Sequence, residues 1–156
     1  MSRRSKITLT EAEQAELLEG EPIVVISTIG PRGWPHSMPL WFMPRDGDVW
    51  VHTYGKSQKI VNLERDPRAT LLVEAGEEYQ ELRGVMIEAE AEIHRDFETV
   101  LQLGKDVAVR MGNADPALLE GEYAAALEAQ ARKRVAIHFV PKRVSSWDHR
   151  KLGGDY

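Results

Sequence analysis

The segment Val85-Met86-Ile87-Glu88-Ala89-Glu90-Ala91-Glu92-Ile93 constrains the chain more than any other. Five apolar residues fall on one side of a two-residue repeat, and Met86 with three glutamates falls on the other. A helical period would scatter both sets around a cylinder, so the segment reads as a strand with one face in a core and one in water. Such a strand needs partners, and the chain supplies several. Ile23 to Ile29 is a largely β-branched run, followed by the turn Gly30-Pro31-Arg32-Gly33. The return strand, about 36–43, is hemmed by Pro35, Pro39 and Pro44, which lack ladder donors and confine it to an edge or irregularity. Arg45-Asp46-Gly47-Asp48 is a second hairpin turn, after which Val49, Val51 and Thr53 face one way and Trp50, His52 and Tyr54 the other. Strands at Thr70 to Glu74 and Val135 to Val140 complete about six.

Helix signals lie between them. Thr10 and Glu13 form a capping box opening a helix over about 11–19, which Gly20 would close in a left-handed conformation. Ser57 opens a short helix that Asp66-Pro67 ends. Asp96 begins a third, ending at Gly112-Asn113, and Asp115-Pro116 begins a fourth, giving a helical hairpin over about 96–133. The basic tail 141–156 shows no period of its own. Two helices inserted before the last strand break any βαβ alternation, so the expected fold is α+β and mainly β: a six-stranded antiparallel barrel, closed to protect its edges. One domain, 1–156, accounts for the length.

No run approaches the ~18 apolar residues of a membrane span, and the basic N-terminus lacks a signal peptide's apolar stretch, so a soluble cytoplasmic protein is expected. The chain has no cysteine, which excludes thiolate chemistry, and its five histidines lack ligand-like spacing, so no metal is expected. Between Arg132 and Lys151 seven Lys and Arg face the single acid Asp148, while the net charge of −5 leaves −11 for the rest. That balance argues against general nucleic-acid binding and leaves room for a local anion site, or simply a solvated basic face. In Gly55-Lys56-Ser57-Gln58-Lys59 a strand ends in glycine and a helix begins with two lysines, so free N–H groups, the helix dipole and two ammonium groups converge. The segment suits a phosphate; it also suits an ordinary capped surface helix.

Ser37-Met38-Pro39-Leu40-Trp41-Phe42, Val51-His52-Thr53, Lys59-Ile60-Val61-Asn62-Leu63 and Asp66-Pro67-Arg68-Ala69 occur in the order seen in pyridoxamine-phosphate-oxidase-like proteins. From about Ile23 to Trp147 the chain resembles that superfamily, and its ending, Val144 to Leu152, resembles the actinobacterial branch that uses the deazaflavin coenzyme F-420. The resemblance implies a split β-barrel of the FMN-binding type, working as a homodimer with cofactors in the grooves between subunits. The implied reaction is hydride transfer between the reduced cofactor and a small unsaturated acceptor. Lys56, Ser57, Gln58 and Lys59 would meet the cofactor phosphate, and His52 and Thr53 would lie beneath the ring or its ribityl chain. Pro39, Leu40 and Trp41 would flank the ring, Tyr79 would reach the other subunit's cofactor, and Trp147 with the basic tail would meet its acidic extension. No catalytic residue is assigned. Coenzyme F-420 is expected ahead of FMN because the tail's positive charge suits an anionic polyglutamate. FMN-dependent chemistry, or a non-catalytic flavin- or deazaflavin-binding protein, is the alternative.

Overall fold

In the computed structural model, which describes residues 3–112 and 115–153, the chain runs α1 (Arg3–Lys6), α2 (Glu11–Gly20), β1 (Ile23–Ile29), β2 (Pro35–Trp41), β3 (Met43–Arg45), β4 (Asp48–Tyr54), α3 (Gln58–Arg65), β5 (Arg68–Ala75), β6 (Arg83–His94), α4 (Phe97–Arg110), α5 (Glu122–Ala131) and β7 (Arg134–Asp148). The alternating segment lies within β6, paired antiparallel with β5 on one side and β7 on the other. Strand order is β2-β1-β5-β6-β7-β4-β3, a curled antiparallel half-barrel with helices, hence α+β. No helix among the described residues is long and apolar enough to cross a membrane.

The sheet has seven strands instead of six, and it is open instead of closed. The extra strand, β3, is a three-residue piece containing Pro44, too short for a periodicity to register. The edges are protected without closure: β2 carries Pro35 and Pro39, and β3 offers little to pair with. Both hairpin turns form where expected, with Gly33 at φ 79° and Asp46-Gly47 at 52° and 83°.

The last strand corrects the reading of the tail, because β7 continues through Pro141 to Asp148. A bulge explains why no period was visible. Glu88 pairs with Arg143 and Ala89 with Pro141, so Lys142 is an extra residue. Before it Val135, Ile137 and Phe139 point inward; after it the buried positions are Ser146 and Asp148, of opposite parity. The N-terminal segment fastens this extension: the Leu9 N–H donates to Ser146 Oγ (3.0 Å) and the Asp148 N–H to the Ile7 carbonyl (2.7 Å).

Two helix boundaries also differ. The capping box at Thr10 and Glu13 is present, but Gly20 is helical and the chain leaves extended at Glu21. Arg110 of α4 caps that end, donating to the Leu18, Glu19 and Glu21 carbonyls at 2.8–3.2 Å. Asp115-Pro116 opens only a 3-10 turn over 116–118, and α5 begins after Gly121, whose φ is 71°. Asp96 does cap α4, and Gly112 follows it left-handed; Asn113 lies outside the described residues.

One apolar core fills the half-barrel, joined by Leu17 and Leu18 of α2 and Ile60 and Leu63 of α3. A second joins Val100, Leu103 and Val107 of α4 to Leu127 of α5 and Ala136 of β7, with Trp50 packed against it. The helical pair therefore covers the outer face of β4 and β7.

Candidate functional site

The alternation of β4 decides which predicted residues meet. Thr53 is buried on the core side, while Trp50, His52 and Tyr54 face outward, where Tyr54 pairs with Arg134 and His52 with Ala136. His52 and Thr53 thus serve two places on opposite sides of one ladder.

On Thr53's side the α3 start builds a cationic corner. Lys59 is only 7% exposed, and its Nζ donates to Thr53 Oγ1 at 3.0 Å and to Ser57 Oγ at 3.2 Å. Its partners are neutral hydroxyls, and no carboxylate pairs with it among the described residues. Burial, and then the positive charge of Arg134, lower its pKa. Ser57 sits at the N-cap position but its side chain makes no cap, its oxygen being taken up by Lys59, while its carbonyl accepts from the Ile60 and Val61 N–H groups. Lys56 is exposed and forms no ion pair among the described residues, while Gln58 turns along the helix, donating to Asn62 Oδ1 at 2.9 Å. Asn62, wholly buried, donates to Thr28 Oγ1 at 3.0 Å and ties α3 to β1.

On the other side a cavity of about 560 Å³ opens between β2, β4, α4 and α5. It gathers four of the predicted residues, Pro39, Leu40, Trp41 and His52, and adds Gly104, Tyr123, Gln130 and Arg134, which sequence reasoning missed. Its lining holds no Asp or Glu. His52 owes its place to Gly104: a Cβ there would lie 3.0 Å from the ring. Burial, then Arg134, pushes the His52 pKa down to about 4, so the ring is neutral, and its buried Nε2 has no hydrogen-bond partner among the described residues. The sequence showed Arg134 as one of the seven cations of the basic run; its nearness to His52 depends on the β4–β7 register, which the sequence does not reveal. A second hollow, about 540 Å³ against β1, β5 and β6, is lined by Arg68 and Lys142 as well as Glu88 and Glu90, so it carries no surplus positive charge.

Tyr79 and Trp147 lie elsewhere. Tyr79 is in a 3-10 turn, its ring tilted against His149 with centroids 4.6 Å apart. Trp147 lies over Gly84, where a Cβ would come within 2.5 Å of the indole. Much of the tail's charge is met locally: Lys142 faces Glu90, Arg143 Glu88, Arg150 Asp148 and Lys151 Glu13. The other three, Arg132 over the Phe97 ring, Lys133 and Arg134, form no ion pair among the described residues, and Arg134 lines the cavity.

A curled half-barrel with a cationic corner at one helix start and an acid-free cavity beside it defines the class. The chain belongs to the pyridoxamine 5'-phosphate oxidase family, whose model matches residues 10–148. It is similar in structure to the conserved hypothetical protein Rv2991 of Mycobacterium tuberculosis, at 38% identity and TM-score 0.88, over 100% of this chain and 95% of that one. It shares its fold with a FAD-binding protein of Mesorhizobium loti (16% identity, TM-score 0.66, covering 89% and 94%). It also shares its fold with an F420 reductase (23% identity, TM-score 0.61, covering 83% and 94%). No curated protein matches the chain.

Proposed function

We propose that this protein is an oxidoreductase that binds coenzyme F-420 and passes a hydride between its reduced form and a small unsaturated acceptor, as a cytoplasmic homodimer with the cofactors between subunits. The observation that carries this is Lys59. Burying an ammonium costs several kcal/mol unless a counter-charge meets it, and among the described residues only two neutral hydroxyls meet this one. A ligand phosphate supplies the missing charge, and Lys56 with the Gln58 and Lys59 N–H groups at the start of α3 adds to the grip.

Lys59, Lys56 and Ser57 hold the phosphate in this reading, with Thr53 fixing the Lys59 amine. Pro39, Leu40 and Trp41 flank the ring, and Tyr79 and Trp147 act across the dimer. The bound cofactor supplies the hydride. His52, neutral near pH 7, offers a neutral hydrogen bond in the cavity wall and is no imidazolium acid there. F-420 is read ahead of FMN because the exposed Arg132 and Lys133, just before β7, form no ion pair among the described residues and suit an anionic extension better than the paired tail does.

Titration with F-420 and with FMN, at low and moderate salt, tests this. F-420 should bind with Kd below about 100 μM, or about 5.5 kcal/mol, and Lys59→Ala should weaken it at least about tenfold. Binding of neither cofactor below that limit overturns the reading; FMN alone binding moves it to the flavin. Oxidation of bound reduced F-420 on adding a quinone, nitro compound or enone separates a reductase from a carrier.

A further inference from the structure

Among the half-buried arginines of the described residues, Arg134 alone lacks a polar partner, whereas most others, buried or exposed, are held. Arg45 is held by Asp106, Arg95 by Glu64, Arg150 by Asp148 and Arg110 by three carbonyls. Arg134 is half-buried, yet among the described residues it forms neither an ion pair nor a hydrogen bond. It lies close enough to Lys59 and His52 for its positive charge to disfavour the charged form of each. It also lines the 560 Å³ cavity, whose other walls are apolar or uncharged: Leu40, Trp41, Val107 and Tyr123, with Gln130 and His52 as the polar groups. In a chain of net charge −5, a cavity without one carboxylate and with an unmatched guanidinium is electrostatically shaped for an anion.

The anion in question differs from the one Lys59 attracts. Lys59 bonds to Thr53, on the inner face of β4, whereas Arg134 pairs with Tyr54 and stands on the outer face with His52. The two cations thus project from opposite faces of the β4–β7 ladder, Lys59 toward the core side and Arg134 into the cavity. The planar guanidinium favours a two-oxygen partner such as a carboxylate, and the aromatic and aliphatic walls favour a flat apolar body behind it.

We propose that this cavity is the acceptor-substrate pocket and that it selects organic carboxylates, with Arg134 as the residue that pairs with the carboxylate. Calling the ligand a substrate rests on the oxidoreductase reading above; the pairing itself does not. The selection should act in binding: a neutral analogue of the same shape fills the apolar walls but leaves the guanidinium unmatched.

A matched pair of probes tests this, trans-cinnamate and the neutral trans-cinnamamide, titrated calorimetrically into the full-length protein. Wild type should bind cinnamate at least tenfold more tightly than cinnamamide. Arg134→Gln should abolish that ratio while leaving cinnamamide affinity within about twofold, and Arg134→Lys should restore part of it. Circular dichroism establishes that each variant is folded; if Arg134→Gln is not, Arg134→Lys and the wild-type ratio carry the test, and a wild-type ratio near one overturns the proposal. So does an acid/amide preference that survives Arg134→Gln. Loss of F-420 affinity in Arg134→Gln with that preference intact also overturns it, assigning the arginine to the cofactor. The F-420 titration of wild type is read separately: carboxylate selectivity without cofactor binding sinks the oxidoreductase reading and leaves the pairing standing.

Discussion

His52 links stability to pH. Its folded pKa of about 4 lies below the usual 6.5, so between these values the unfolded chain binds a proton that the folded chain refuses. The neutral ring's contribution is therefore complete above pH 6.5 and is lost as pH falls toward 4. A shift of that size corresponds to about 3 kcal/mol, nearer 2 with residual screening by solvent. Urea unfolding of wild type and His52→Gln at pH 4–7.5 should show a steeper loss in wild type across that window; parallel curves would mean the ring is more solvated than the structure shows. Lys59 gives the opposite kind of result. Its amine is buried against hydroxyls, so Lys59→Met should cost no more than about 1 kcal/mol of stability, or even raise it, while weakening F-420 at least about tenfold. A variant that unfolds readily would assign Lys59 to the core instead of the ligand.

Between β6 and β7 the pairing of Gly84 with Trp147 fixes the extended tail, the indole covering a position that has no room for a methyl group. Gly84→Ala should destabilise by about 1–3 kcal/mol in chemical denaturation, and much less in a Trp147→Leu background, giving a clear coupling energy. Equal costs in both backgrounds would deny the contact. The same pair shows where the sequence was legible. Alternation in 85–93 identified β6, the capping box placed α2, and both hairpin turns formed at their glycines, because each signal is local and matches one period or one turn. Beyond the Lys142 bulge that logic fails, since one inserted residue reverses which parity points inward. Asp115-Pro116 gave a valid start signal, but Gly121 broke the chain before a helix could extend. At the site, Lys59 was legible through motif and helix dipole together. Arg134 and Gly104 were not, because their meeting with His52 depends on strand register and on how the helical pair lies over the sheet.

For the whole molecule, the decisive surface is the face of β1, β5 and β6 that no helix covers. Pro39, Val25, Leu72 and Met86 pair directly across four strands there, and Trp41 with Ile23 forms the neighbouring pair toward the edge. Val25, Leu72 and Met86 are half-buried, and Trp41 remains 48% exposed. An apolar row of this length on an open sheet is costly in water, and a second copy would cover it while bringing Trp41 and the cavity mouth to the boundary between subunits. A stable interface needs roughly 800 Å² from each partner, which a sheet face of this kind can supply. Sedimentation velocity should therefore give twice the monomer mass at micromolar concentration. Leu72→Lys places a charge at the centre of the row and should yield monomer; because the cofactor is proposed to lie between subunits, F-420 affinity should fall with it. A wild-type protein that stays monomeric at 100 μM would remove the dimer. A Leu72→Lys monomer that still binds F-420 at full strength would place the cofactor within one chain, held by the Lys59 corner alone.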